Sequence, residues 1–202
     1  MNENTHNLYD AVLKRRSVYS LKNEIPVSEE RLIEIIQYAV KHTPSAFNMQ
    51  SARVALLLGV NHKKLWDMVK NILKHIVPEQ NFAATEQKIN SFAAGYATIL
   101  FFNDTNVIEK MQAKFAAYKE NFPIWAEQSA GMLQYLIWTA FASQGIGANL
   151  QHYNPLIDEE VCKQFDIARS WRLVAQMPFG TPAANAGAKD FLPIEELVKI
   201  KR

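Results

Sequence analysis

Apolar positions recur along this chain at helical spacing in some stretches and as short unbroken runs in others. The alternation between the two marks out the elements. After Ser28, the residues Leu32, Ile33, Ile35, Ile36, Ala39 and Val40 form one wide helical face. Ser28 stands where an N-cap belongs, Glu29 and Glu30 follow in the first turn, and Thr43-Pro44 stops the helix. A second amphipathic helix follows Asn61, with Leu65, Met68, Val69, Ile72, Leu73 and Ile76 in register. Shorter helices are predicted over 6–16, 82–94, 105–120 and 158–165, and Pro193 opens a terminal one over 193–200. Three compact apolar runs read as buried strands: Arg53 to Gly59 (RVALLLG), expected to be central, Tyr96 to Asn103, and Trp171 to Phe179. Residues 17–27 and 148–153 read as extended, and 180–192 as a loop.

The segment 125–144 (WAEQSAGMLQYLIWTAFASQ) differs from all of these, being apolar nearly all round. Such a helix is buried on most sides, in a large core or against another subunit. It carries more apolar surface than a chain of this size ordinarily buries alone. Its Glu127, Gln128, Gln134 and Gln144 argue against a membrane span. Strands and helices do not alternate in βαβ fashion, so the expected class is α+β.

Composition narrows the function. A length of 202 residues suits one domain, 1–202, with a sizeable core. Lys+Arg (22) nearly balances Asp+Glu (20), and no stretch is densely basic, so no nucleic-acid partner is expected. Cys162 is the single cysteine, which rules out an internal disulfide framework or a multi-Cys metal site. The start, MNENTHNLYD, lacks a basic-then-apolar leader, and no run approaches the ~20 residues of a span. The expectation is a soluble cytoplasmic protein with no membrane partner.

Hydrolytic and phosphate-loop signatures (G-x-S-x-G, H-E-x-x-H, G-x-x-x-x-G-K-[ST]) do not occur. His6, His42, His62, His75 and His152 show no ligand-like pairing, so no metal site is expected. Gly145-x-Gly147 lacks a third glycine and follows a helix, which makes it a helix-ending turn rather than a dinucleotide fingerprint. Three other stretches carry more. Arg15-Arg16-Ser17-Val18-Tyr19 puts two guanidiniums and a hydroxyl ahead of an extended segment; it can grip a phosphate, or be a solvated helix end. Pro44 to Gln50 (PSAFNMQ) offers polar side chains just before a strand, suited to the edge of a planar heterocycle or to an ordinary turn. Pro178-Phe179-Gly180-Thr181-Pro182, followed by Lys189, is a strand exit and a possible second phosphate cation.

Taken in order, these stretches resemble the FMN-dependent nitroreductase family over nearly the whole chain, and most of all a short bacterial and fungal subgroup with A-N-L-Q-H-Y after G-I-G. The resemblance implies an α+β fold with a small central mixed sheet covered by helices, and an intertwined homodimer with two flavin sites at its interface. It implies FMN as cofactor, with Arg15, Ser17 and Lys189 as phosphate and ribityl ligands and Arg16 between them. Ser45, Asn48 and Gln50 match residues that approach the flavin, in many members from the other subunit. Leu150 and Gln151 fall where the family places backbone beside the redox-active edge, and His152 and Tyr153 are expected to form the substrate pocket. The implied reaction is ping-pong: NADH or NADPH reduces the flavin, then a nitroaromatic or quinone-type acceptor takes the electrons. The flavin carries the chemistry, so no catalytic side chain is required. The chain departs from the family's common patterns at Tyr19, Ser51-Ala52, Gln151-His152-Tyr153 and Phe191. A flavin-binding or ligand-sequestering module without turnover is the alternative these departures leave open.

Overall fold

The computed structural model describes residues 3–202, with side chains from residue 8. Among the described residues, eight helices surround a five-stranded sheet. Strand β3 (Ala97–Asp104) is buried along its whole length and runs antiparallel to β5 (Trp171–Pro182) on one side and to β2 (Ala52–Leu58) on the other. The two-residue strand β1 (Leu21–Lys22) pairs with the far side of β5, and β4 (Gly147–Ala148) pairs with residues near its end.

Every ladder is antiparallel, and the parallel component is a single bridge, Ser17 to Ala148. The expected mixed sheet is therefore an antiparallel sheet with one parallel contact. The connection explains it. Two helices that pack on each other, α3 (Gly59–Lys74) and α4 (Glu79–Ala93), leave from Leu58 and return the chain to Ala97, its register partner. A single crossover helix would have delivered a parallel strand.

A second correction concerns β2. The order β1-β5-β3-β2 puts this apolar run at the sheet's edge, and Leu57 alone among its residues is fully buried. Its free side borders an open groove of about 670 Å³ shared with Ile33, Ile36 and Val40 of α2 (Glu29–His42) and with Trp171. An unbroken apolar run requires cover on both faces, but that cover need not be a neighbouring strand.

Two cores lie on opposite sheet faces. On one, α2 and α6 (Asn121–Ser143) pack Leu32, Ile35, Leu133, Ile137 and Phe141 against Ile99, Phe101, Met177 and Phe179. On the other, α3, α4 and α7 (Asp158–Gln164) pack Leu65, Trp66, Phe92 and Val161 against Leu57, Leu100, Phe102 and Leu173. A bulge in the β3–β5 ladder at Phe101/Phe102 shifts the facing of β5, so Leu173 and Ala175 serve different cores.

The helix ends follow the chemistry read from the chain. The Ser28 side chain accepts from the Arg31 N–H at 3.2 Å, capping α2. Helix α5 (Thr105–Lys114) is capped by Asp104 and gives way to a short 3₁₀ turn, Ala116–Tyr118, so the expected helix over 105–120 is broken. The expected terminal helix shrinks to one turn, α8 (Ile194–Leu197). Helix α1 (Glu3–Lys14) buries Ala11 while Leu8, Tyr9 and Leu13 remain exposed. Among the described residues, no helix is long and apolar enough to cross a membrane.

Candidate functional site

Helix α1 ends where its basic residues begin. The Arg15 N–H closes the last turn on the Ala11 carbonyl at 2.9 Å, and the chain then leaves as extended backbone. Ser17 bridges Ala148, and the Val18 N–H donates to the Ala148 carbonyl at 2.9 Å, stitching this segment to β4. The Arg15 guanidinium lies 4.6 Å over the Trp138 ring of α6. Stacking orients the planar fork and leaves its edge donors available. Arg16 Nη2 donates to the Gly187 carbonyl at 2.7 Å, drawing in the segment that carries Lys189 two residues on. The Lys189 ammonium rests 4.9 Å from the Phe191 ring. Among the described residues, none of these three cations is paired with a carboxylate.

The stretch after β4 runs extended along β5. The N–H groups of Asn149 and Gln151 donate to the carbonyls of Pro178 and Gln176 at 3.2 and 2.7 Å, and that of Tyr153 donates to Gln176 Oε1 at 2.8 Å. Alternate residues of extended backbone face opposite ways, so the N–H groups of Leu150 and His152 point away from β5. Among the described residues, neither has a hydrogen-bond partner. His152 is exposed and Gln151 buried. Tyr153 turns its half-buried ring onto Trp66, edge to face at 6.0 Å, and burial raises its phenol above the usual range. Its ring therefore belongs mainly to the core.

The predicted stretch Pro44 to Gln50 lies elsewhere. Ser45 Oγ accepts from the Gln50 N–H at 2.9 Å and closes a tight loop in which Phe47, Asn48 and Gln50 all take left-handed backbone, with φ of 55°, 50° and 50°. Three non-glycine residues in that region store strain. The loop is held by Phe47, whose ring sits 4.7 Å from Phe115, 5.5 Å from Phe122 and 6.0 Å from Trp125, and by Ser129 Oγ donating to the Pro44 carbonyl at 2.9 Å. Phe122, Trp125 and Ser129 are in the first half of α6, whereas Trp138 is in the second. Nine residues of helix separate Ser129 from Trp138, roughly 13 Å along the axis. Within one chain, Arg15, Arg16, Ser17, the stretch 150–153 and the Lys189 segment are brought together, while Ser45, Asn48 and Gln50 stand apart.

Several site-building residues escaped the sequence reading. Trp138, Asn149 and Gln176 lie under or behind the predicted ligands. Gln176 left one trace, as the lone amide in the apolar core of β5, and Asn149 repeats the amide of Gln151 at strand spacing. Burial pushes the Cys162 thiol up, which keeps it out of thiolate chemistry. No cluster of three metal-ligating residues occurs among the described residues.

The arrangement is an α+β one in which cations without carboxylate partners lie beside extended backbone that carries outward N–H groups. The profile of the nitroreductase family matches residues 12–181. The chain shares 35% identity over 180 residues with HBN1 of Saccharomyces cerevisiae, covering 88% of this chain and 89% of HBN1. With the nitroreductase FRM2 of the same yeast it shares 32% over 190 residues, covering 93% and 94%. The nitroreductase CinD from Lactococcus lactis in complex with nicotinic acid superposes with a TM-score of 0.90 at 41% identity, covering 96% of this chain and 99% of CinD. CinD in complex with 4-nitrophenol gives a TM-score of 0.87 at 42% identity over the same coverage. The chain belongs to the nitroreductase family, and it is an oxidoreductase of that type.

Proposed function

We propose that this chain binds FMN at the Arg15–Ser17 and 150–153 segments and transfers electrons from NADH or NADPH to a nitroaromatic or quinone-type acceptor, by turns, as a homodimer. The observation that carries it is the donor set. Three cations without carboxylate partners and the Ser17 hydroxyl suit a phosphate dianion and a sugar-alcohol chain. Two outward N–H groups on flat extended backbone suit the polar edge of a planar ring. When bound, the flavin supplies the hydride and electron transfer. The protein's part is to hold the ring, place the Leu150 and His152 N–H groups at its edge and leave one face open to a planar partner. CinD has been crystallised with 4-nitrophenol and with chloramphenicol, which supports a small aromatic acceptor here.

The distance between the two groups of predicted ligands supports the dimer. A second copy can bring its Ser45, Asn48 and Gln50 to the first copy's Arg15. Exposed apolar side chains also gather on α1, on α6 (Ile124, Met132, Tyr135) and over 191–200.

Anaerobic mixing tests the reading. The purified protein is expected to release FMN on denaturation, to bleach on addition of NADH or NADPH, and to give parallel double-reciprocal lines with a nitroaromatic or quinone. Recovery of FAD, or intersecting lines, would contradict it. A bound flavin that neither nicotinamide reduces would leave a binding module in place of an enzyme.

A further inference from the structure

Two buried amides that none of the predicted ligands includes connect the parts of the site. Asn149 is fully buried; its Nδ2 donates to the Val18 carbonyl at 2.8 Å and its Oδ1 accepts from Gln151 Nε2 at 2.8 Å. Gln176 is also fully buried. Its backbone exchanges both hydrogen bonds with Gln151, at 2.7 and 2.9 Å. Its side chain accepts from the Tyr153 N–H at 2.8 Å and donates to Asn154 Oδ1 at 3.3 Å. A continuous chain of hydrogen bonds thus runs from Val18 through Asn149 and Gln151 to Gln176, and on to Tyr153 and Asn154.

The arrangement exceeds what strand pairing requires. Past Gln151 the extended stretch leaves the reach of β5's backbone, and the Gln176 side chain replaces the missing carbonyl. Without it, the Tyr153 N–H would be buried with no acceptor, a conformation the chain would abandon by rotating the peptide. That peptide unit pairs the Tyr153 N–H with the His152 carbonyl, so its rotation displaces His152 and strains the adjoining unit that carries the His152 N–H. The adjoining unit is itself tied through the Gln151 carbonyl to the Gln176 N–H at 2.9 Å. At the other end, Asn149 couples Val18, next to Ser17, to the same stretch.

We propose that Asn149 and Gln176 are positioning residues: they clamp the 149–154 backbone from behind so that the Leu150 and His152 N–H groups face the ring edge, and they set that edge's distance from the Arg15–Ser17 anion site. The proposal rests on the flavin reading above. Its consequence is thermodynamic, because hydrogen bonds to the ring edge stabilise oxidised and reduced flavin unequally.

The test uses the FMN-loaded protein with Gln176→Met and Asn149→Leu, both close in size to the native residue. Gln176→Met is expected to retain FMN but to change the ratio of oxidised to reduced FMN affinity about ten-fold, read as a midpoint-potential shift of about 30 mV for two electrons. Asn149→Leu is expected to raise the FMN Kd about ten-fold as well, since Val18 loses its tie. Ser28→Ala is the structural control: it removes the cap of α2, where Ser28 Oγ accepts from the Arg31 N–H at 3.2 Å, outside the hydrogen-bond chain of the clamp. It is expected to lower Tm without moving the potential. A potential unchanged in both amide variants, with Tm lowered as in the control, would overturn the proposal.

Amide hydrogen exchange on the unsubstituted protein decides the matter even if a variant fails to fold. Asn149, Gln151 and Tyr153 are expected to be protected with or without FMN, and Leu150 and His152 to slow at least ten-fold when FMN is added. Saturation with FMN that leaves Leu150 and His152 unchanged would also overturn it. If no FMN binds in the titration, the flavin reading itself falls and takes this one with it.

Discussion

Arg15 and Arg16 are sequence neighbours with different attachments. Arg15 stacks on Trp138 and keeps its donors free, whereas Arg16 uses one on the Gly187 carbonyl. Arg15→Ala is therefore expected to weaken FMN binding by about 1.5–3 kcal/mol, roughly ten- to a hundred-fold. Arg16→Ala is expected to act indirectly, by loosening the segment bearing Lys189, at about 0.5–1.5 kcal/mol. A flavin titration separates them, and equal small losses would place the phosphate elsewhere. The same scale carries a pH dependence. His62 is buried, and that burial holds its pKa below the usual 6.5 despite the carbonyl of Ala93 at 3.1 Å from Nε2. As pH falls through 6.5, the unfolded chain takes up a proton that the folded chain does not, so stability present above 6.5 declines toward the lower folded pKa. Urea unfolding at pH 7.5 and 5.5 should show a loss in the native protein that His62→Gln lacks. No pattern in the chain distinguished this histidine from the other four.

At the scale of elements, the periodic signals were reliable and their contexts were not. Helix α2, with its Ser28 cap, and strand β3 stand where the pattern placed them, because capping and burial period are local chemistry. The run 53–59 showed the same apolarity as a central strand, yet strand order is settled by long-range register, and β2 lies at the edge. The tight crossing of β1 over β5 was equally hidden. A Cβ on Gly180 would collide with the Lys22 carbonyl oxygen, so only glycine lets the two backbones approach. Gly180→Ala is expected to destabilise the fold by about 1–3 kcal/mol, read as a lower urea midpoint at unchanged m. A midpoint equal to the native one would mean that β1 does not hold this position in solution.

At the scale of the molecule, a single chain keeps apart groups that the proposed site needs together. Its proposed ligand groups are split along α6, and its exposed apolar residues fall on α1, α6 and residues 191–200. Light scattering is expected to report twice the 23.0 kDa chain mass, with flavin retained at that mass. Tyr135→Asp, on the exposed side of α6, should shift the protein toward monomer and release FMN. A flavin-loaded monomer at micromolar concentration would contradict both.

The class of fold and most of the helix and strand inventory could be read directly from the chain, and Arg15, Ser17 and Lys189 entered as proposed ligands through the family resemblance of their motifs. Each rests on spacing within a few residues or on a short ordered motif, which is where sequence and local conformation correspond most closely. The antiparallel sense of the sheet, the edge position of β2, Trp138 beneath Arg15 and the Asn149–Gln176 clamp could not. All of these join residues tens to more than a hundred positions apart. Such contacts are selected by the packing of the whole core, where an amide buried behind a site and an amide exposed in a loop are the same letter.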